Sequence, residues 1–256
     1  MDNDLIYLSG GDIPFAEAQI VIHPPTIYEI AYLGEQAFYT GIEFLRFSKN
    51  SLSEEDKIRL ESLTDFNILM SIMKEKNAIV QQNKVCMEMV LSLLFPDYKI
   101  SLDKTIILSK DGEESHEINE QNFEIFRSIV NKMFCLTSMG LTGEYNPAGK
   151  AAQDIAEKFR KRREKLKEQK KDGNGKIEIL GRYVSILAVG EQKDLNSLMK
   201  YTVYQLFDEF QRYELKASYD LYFEAKLAGA QDLKEPKDWM KSLYEEENKD
   251  EKLVFS

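Results

Sequence analysis

The feature that most constrains this fold is the return of apolar residues at steps of three and four. Ile27, Ile30, Gly34, Phe38, Ile42 and Leu45 follow this spacing, and so do Leu206, Phe210, Tyr213, Ala217, Leu221, Ala225 and Ala228. On a helix of about 3.6 residues per turn, such spacing gathers side chains on one face. Each run also carries a start signal. Thr26 with Glu29, and Thr202 with Gln205, fit the capping box, in which a hydroxyl and a side-chain carbonyl each satisfy a free backbone N–H. The chain therefore reads as mainly α with a small antiparallel β component (α+β). The expected architecture is a helical bundle with an N-terminal strand pair and a central β-hairpin.

Residues 5–8 and 18–22 read as the strand pair, closed by Gly10-Gly11 and Pro24-Pro25. Ser53 followed by Glu54, Glu55 and Asp56 predicts a second helix, since acids suit the positive end of the helix dipole. Asp65 is the expected cap of a third helix carrying Phe66, Leu69, Met70 and Met73. Residues 85–94 form a fourth. Short strands are expected at 98–100 and 105–108. The Asp111-Gly112 turn then leads to a returning strand at 115–118. Asn119 would cap a helix burying Phe123, Phe126, Ile129, Val130 and Met133. Gly140, Gly143, Pro147 and Gly149 then mark a linker. The expected organisation is an N-terminal α+β domain over 1–139 and a linker over 140–150. A C-terminal helical domain over 151–244 and an acidic tail over 245–256 complete it.

Composition narrows the function classes. With 43% hydrophobic and 30% charged residues in 256, the chain can bury a core. Its net charge of −10 works against nucleic acid and anionic membranes as overall partners. Met1-Asp2-Asn3-Asp4-Leu5 lacks a basic region leading into an apolar core, so no signal peptide is expected. The apolar run at 85–95 is shorter than the ~20 residues that span a bilayer. The expectation is a cytoplasmic protein, with Cys86 and Cys135 as buried thiols.

Motifs for catalysis are missing from the sequence. Gly173-Asn174-Gly175-Lys176 lacks the preceding strand and the following Ser or Thr of a phosphate loop, and reads as a helix-ending turn. His23 and His116 are the two histidines. His116 stands near Asp111, Glu113, Glu114 and Glu117, but acids beside a hairpin turn are ordinarily solvated. The cysteines lack zinc-site spacing, and no nucleophile elbow occurs. The expectation is a binding protein rather than an enzyme, with no catalytic residues, metal or cofactor.

Two features suggest binding. Between Glu157 and Lys171 lie nine Lys or Arg against three Glu, including Arg160, Lys161, Arg162, Arg163 and Lys167. A helix this polar buries little of itself. It reads as a solvated helix, a contact for an acidic partner or the chain's own acidic tail, or a nucleic-acid contact, and sparse aromatics lower the last. Further on, Tyr204, Phe207, Phe210, Tyr213, Tyr222, Phe223 and Trp239 are too many for one buried stripe. They read either as core facing several helices or as a groove for an apolar partner helix.

The order of these features resembles a known family. Pro25-Thr26-Ile27-Tyr28-Glu29-Ile30 through Gly34-Glu35, with Phe38-Tyr39, is similar to the N-terminal helix of proteins encoded in tail-morphogenesis clusters of phages and prophages of Gram-positive bacteria. Thr64-Asp65-Phe66-Asn67-Ile68-Leu69 resembles their next helix. Residues 119–135 resemble the helix after their hairpin. Leu206-Phe207-Asp208-Glu209-Phe210, Leu227-Ala228-Gly229-Ala230 and Pro236-Lys237-Asp238-Trp239-Met240 extend the likeness. The resemblance implies a tail assembly chaperone, which holds the long helical tape-measure protein until tube subunits polymerise around it. The implied partners are the tape-measure or other tail proteins, with self-association as an alternative, nucleic acid ranked low, and no membrane. A structural virion component, such as a connector or baseplate protein, is the second reading, and a nucleic-acid-associated protein using the basic helix is the third.

Overall fold

A computed structural model describes residues 4–49, 54–112, 115–136 and 179–231, together with Leu233, Glu235, Pro236 and Met240. The expected linker at 140–150, the basic helix at 157–171, Trp239 and the tail at 245–256 lie outside these described residues. The chain divides into two compact units, Met1–Leu206 and Phe207–Ser256. The fold is mainly α with two small antiparallel sheets.

The first unit opens with a short helix α1 (Asp4–Ser9), where a strand was expected. A four-residue apolar run fits either state, so its surroundings decide. The strand partner of β2 (Ile20–Ile22) is β1 (Ile13–Phe15), one tight turn away, with Ile13 opposite Ile22 and Phe15 opposite Ile20. Residues 5–8 are left with no strand to pair. Gly10 follows the helix at φ 69°, the left-handed conformation that suits glycine after a helix end. Tyr7 stacks on Tyr204 at 5.3 Å, and the Lys132 ammonium reaches Asp4 at 2.9 Å.

The first periodic run folds as two helices, α2 (Ile27–Leu33) and α3 (Glu35–Leu45). Gly34, at φ 97°, makes the break, and the apolar side chains on both sides of it stay buried. The Thr26–Glu29 capping box forms as expected. After α4 (Glu54–Arg59), α5 (Asp65–Ile72) is capped by Thr64 rather than Asp65. Thr64 accepts from the Asn67 N–H, which leaves Asp65 free for a cross-chain bond described below. The long helix α6 (Ala78–Leu94) crosses α3 at Gly41. Only a residue without a Cβ fits there, because an added one would lie 2.5 Å from the Cys86 carbonyl oxygen.

The central β element is a three-stranded antiparallel meander, with a strand at each of the three expected places. It comprises β3 (Lys99–Leu102), β4 (Ile106–Ser109) and β5 (His116–Ile118). Ile106, Leu108 and Ile118 face inward. Helix α7 (Phe123–Met133) follows. Asn122 precedes its first turn, while Asn119 forms the turn before it by accepting from the Gln121 N–H. Phe126 of α7 lies between Phe15 of β1, at 5.9 Å, and Phe95 at the end of α6, at 6.0 Å.

Residues 179–206 fall within the first unit. Helix α8 (Ile179–Gly190) starts on the Glu35 carboxylate, which accepts from the N–H groups of Ile179 at 2.6 Å and Leu180 at 2.9 Å. After α9 (Leu195–Leu198), the carbonyls of Tyr201 and Met199 accept from the first N–H groups of α2, at Ile27 and Tyr28. A helix start leaves N–H groups without internal partners. Here two helix starts, far apart in sequence, are satisfied by each other's neighbourhoods. This pairing is non-local and cannot be read from periodicity. The second capping box, Thr202 with Gln205, then starts α10 (Val203–Leu227), and the Gln205 amide also donates to the Leu8 carbonyl.

Candidate functional site

The second unit carries the candidate site on α10 beyond Phe210. Successive residues on a helix turn by about 100°. On that spacing one half of the circumference holds Leu215, Tyr219, Tyr222 and Phe223, accompanied by Arg212, Lys216 and Lys226. The other half holds Tyr213, Ala217, Leu221 and Ala225, accompanied by Glu214, Asp220 and Glu224. Apolar residues lie on both halves, with Lys226 and Arg212 interleaved among the rings of the first and Arg212 paired with Asp208 at 3.0 Å, yet this stretch is open. Leu221 is 67%, Phe223 39% and Leu227 88% exposed. A helix with apolar residues on opposite sides is normally covered on both. The turn at Gly229, φ 91°, ends it, with the Ala230 N–H donating to the Ala225 carbonyl.

The aromatic half is ordered by its own contacts. Tyr219 and Phe223 lie 4.7 Å apart between ring centroids, and Tyr222 meets Phe223 edge-on at 5.2 Å. Lys226 sits over the Tyr222 ring at 5.5 Å, a cation–π geometry that holds the ammonium on this face. Lys216 pairs with Asp220 at 3.4 Å, at the border between the halves. On the acidic half, burial raises the Glu214 carboxyl above its ordinary value.

The sequence-predicted aromatic set divides here. Tyr204, Phe207 and Phe210 are buried. Tyr213 and Tyr222 are half-buried, Phe223 is exposed, and Trp239 lies outside the described residues. Tyr213 falls on the acidic half, whereas Tyr222 and Phe223 join Leu215 and Tyr219, which the aromatic count had not singled out as a set. Helical spacing from Leu215 would have found them. Arg160, Lys161, Arg162, Arg163 and Lys167 lie outside the described residues.

Several titratable groups of the first unit make defined contacts. His116 Nδ1 donates to the Ala18 carbonyl at 2.9 Å, and so links the central sheet to the N-terminal hairpin. His23 stands between two carboxylates, with Nδ1 3.0 Å from Asp12 and Nε2 3.7 Å from Glu29. Burial works to raise the Glu29 carboxyl, but bonds from Thr26 and the nearby His23 outweigh it and hold it below its ordinary value. Arg127 donates to the Phe47 carbonyl and to Asp65, both at 2.8 Å, and also pairs with Glu124. The Tyr39 hydroxyl is buried with no hydrogen-bond partner among the described residues, and burial pushes its pKa well above the ordinary phenol value. Among the described residues no group of three His, Cys, Asp or Glu side chains could hold a metal ion. Among them, too, no helix is long and apolar enough to cross a membrane.

Residues 169–244 match a family model described as the YomV second domain. YomV is a Bacillus prophage-region protein, so the match relates this part of the chain to phage-associated proteins. The matched span contains α8, α9 and the whole of α10, including both apolar halves. Comparison with curated proteins and with solved structures gave no match.

Proposed function

We propose that this protein acts in phage or prophage tail morphogenesis as a chaperone-like factor. It holds apolar helical segments of the tape-measure protein, or of another tail protein, in the host cytoplasm. The observation that carries this reading is the open, doubly apolar stretch of α10, inside the segment that matches a prophage-encoded domain. A client helix laid on one half would cover Phe223 and Leu227, and one laid on the other half would cover Leu221. Fully burying a large apolar side chain contributes about 1.5–3 kcal/mol. Exposed ion pairs contribute about 0.2–1 kcal/mol each. Apolar contact therefore supplies the affinity, and charge only selects among clients.

The test is affinity purification of the tagged full chain from cells expressing the complete gene cluster. The reading expects a long helical tail protein to be recovered with the chain, and expects the paired change Leu221→Asp and Phe223→Asp to reduce that recovery at least about tenfold. Far-UV circular dichroism checks that the variant keeps its helices. Recovery of the protein in stoichiometric amounts from purified mature particles would instead make it a virion component.

A further inference from the structure

Helix α1 fully buries none of its own side chains, and its Leu5 is 69% exposed. Its six residues fall far short of the ~12–15 at which an isolated helix becomes even marginal, so α1 is helical only while seated. The seat lies where α7 ends and α10 begins. Lys132, in the last turn of α7, meets Asp4 at 2.9 Å and stands 5.1 Å over the Tyr7 ring. Tyr7 in turn lies 5.3 Å from Tyr204, a buried ring in the first turn of α10. The Gln205 side chain closes the seat. Its Nε2 donates to the Leu8 carbonyl at 2.8 Å, while its Oε1 accepts from the Thr202 N–H at 2.9 Å as part of the capping box. The backbone at Gly10 passes so close that a Cβ there would lie 2.8 Å from Gln205 Nε2. One side-chain amide thus ties α1 to the cap of α10.

We infer that α1 is a releasable strap across the start of α10. It lifts as a unit while the rest of the first unit stays folded, and its release uncovers the Tyr204 ring and loosens the Gln205 cap. A helix with no fully buried side chain gives up little apolar burial on lifting, so its opening belongs at the low end of local unfolding. The ion pair that holds its start is partly exposed, Asp4 at 38% and Lys132 at 26%, so salt screens it and favours release. The Leu8 carbonyl fixes which way the Gln205 amide faces, with Nε2 toward α1 and Oε1 toward Thr202. Once that carbonyl leaves, the amide is free to turn, and the cap weakens with the strap. The inference stands apart from the chaperone reading and concerns the other end of α10 from its exposed apolar stretch.

The test is native-state amide exchange on the full chain, resolved by NMR at low and high salt and in low urea. Leu8, Ser9 and Thr202 are followed against the buried Leu69, Val90 and Val130. Leu8 and Ser9 should exchange together through an opening that hardly responds to urea, while the three core amides need a urea-sensitive one. Tyr7→Ala should speed exchange at Leu8, Ser9 and Thr202 by about tenfold and leave the core amides unchanged. Asp4→Asn should speed the same three by about threefold at low salt and not at all at high salt. If Tyr7→Ala also lowers core protection, Asp4→Asn and the wild-type urea response decide. Leu8 and Ser9 as protected as the core, with the same urea response, would overturn the strap. Faster exchange at Leu8 and Ser9 with Thr202 unmoved in both variants would overturn its hold on the cap.

Discussion

Two helical glycines should respond to the same substitution with opposite sign. Gly41 sits in α3 where α6 crosses it. An added Cβ would lie 2.5 Å from the Cys86 carbonyl oxygen and 2.6 Å from a Val90 methyl carbon. Gly181 sits in α8, and an added Cβ there meets nothing within 4 Å. Alanine in place of glycine favours a helix by about 0.8–1.0 kcal/mol in the interior. At Gly181 this gain stands nearly alone, trimmed because the site lies in the first turn, so Gly181→Ala should stabilise by about 0.5 kcal/mol. At Gly41 the obstacle is backbone, which a rotamer change cannot clear. The helices must separate by roughly 1 Å, losing dispersion contacts along the crossing. Overpacking of this kind costs about 1–3 kcal/mol, occasionally more. After the propensity gain, Gly41→Ala should destabilise by about 1 kcal/mol. Urea unfolding followed at 222 nm measures both midpoints on the full chain. A Gly41→Ala protein as stable as the wild type would refute the close crossing. A loss in Gly181→Ala would refute the open setting of α8.

Other outcomes follow from the polar network of the first unit. Arg127→Ala removes donors to the Phe47 carbonyl and to Asp65 at a site where the Arg127 and Asp65 side chains are 18% and 12% exposed, and should lower stability by about 2 kcal/mol. A double-mutant cycle with Asp65→Asn measures the coupling. Burial works to raise the Asp65 carboxyl, but the Lys49 N–H, Arg127 and Ser48 hold it below its ordinary value. The folded-state value is the lower one, so the stabilisation is complete above roughly pH 4 and is lost as pH falls through the depressed value. The urea midpoint should therefore drop on acidification below roughly pH 4, and drop less in Asp65→Asn. Glu35→Gln weakens the anchor of α8 and should cost about 0.3–1 kcal/mol, read as faster amide exchange at Ile179 and Leu180.

Local signals were legible in the sequence, and non-local ones were not. Both capping boxes form because each needs only residues three apart. The stripe from Ile27 to Leu45 is buried as its spacing predicts, even though Gly34 splits it into two helices. Residues 5–8 were misread because a short apolar run carries no period of its own, and the nearer segment Ile13–Phe15 took the available edge. Asp65 looked like a cap, but Thr64 one residue earlier does that work, and Asp65 meets Arg127 from 62 residues away. The docking of residues 179–206 onto α2 and α3 rests on Glu35 and on backbone carbonyls. Backbone carbonyls leave no mark in a sequence. At the candidate site, aromatic crowding drew attention to α10. It could not separate Tyr204, Phe207 and Phe210, which are buried, from Tyr219, Tyr222 and Phe223 further along.

The most direct measurement is amide hydrogen exchange on the full chain, alone and in complex with a client recovered from the complete gene cluster. An exposed helix exchanges readily, and a covering partner slows it. The account predicts new protection concentrated between Arg212 and Leu227 on complex formation. Protection confined to α1 through α7, with residues 212–227 exchanging as fast as before, would contradict it.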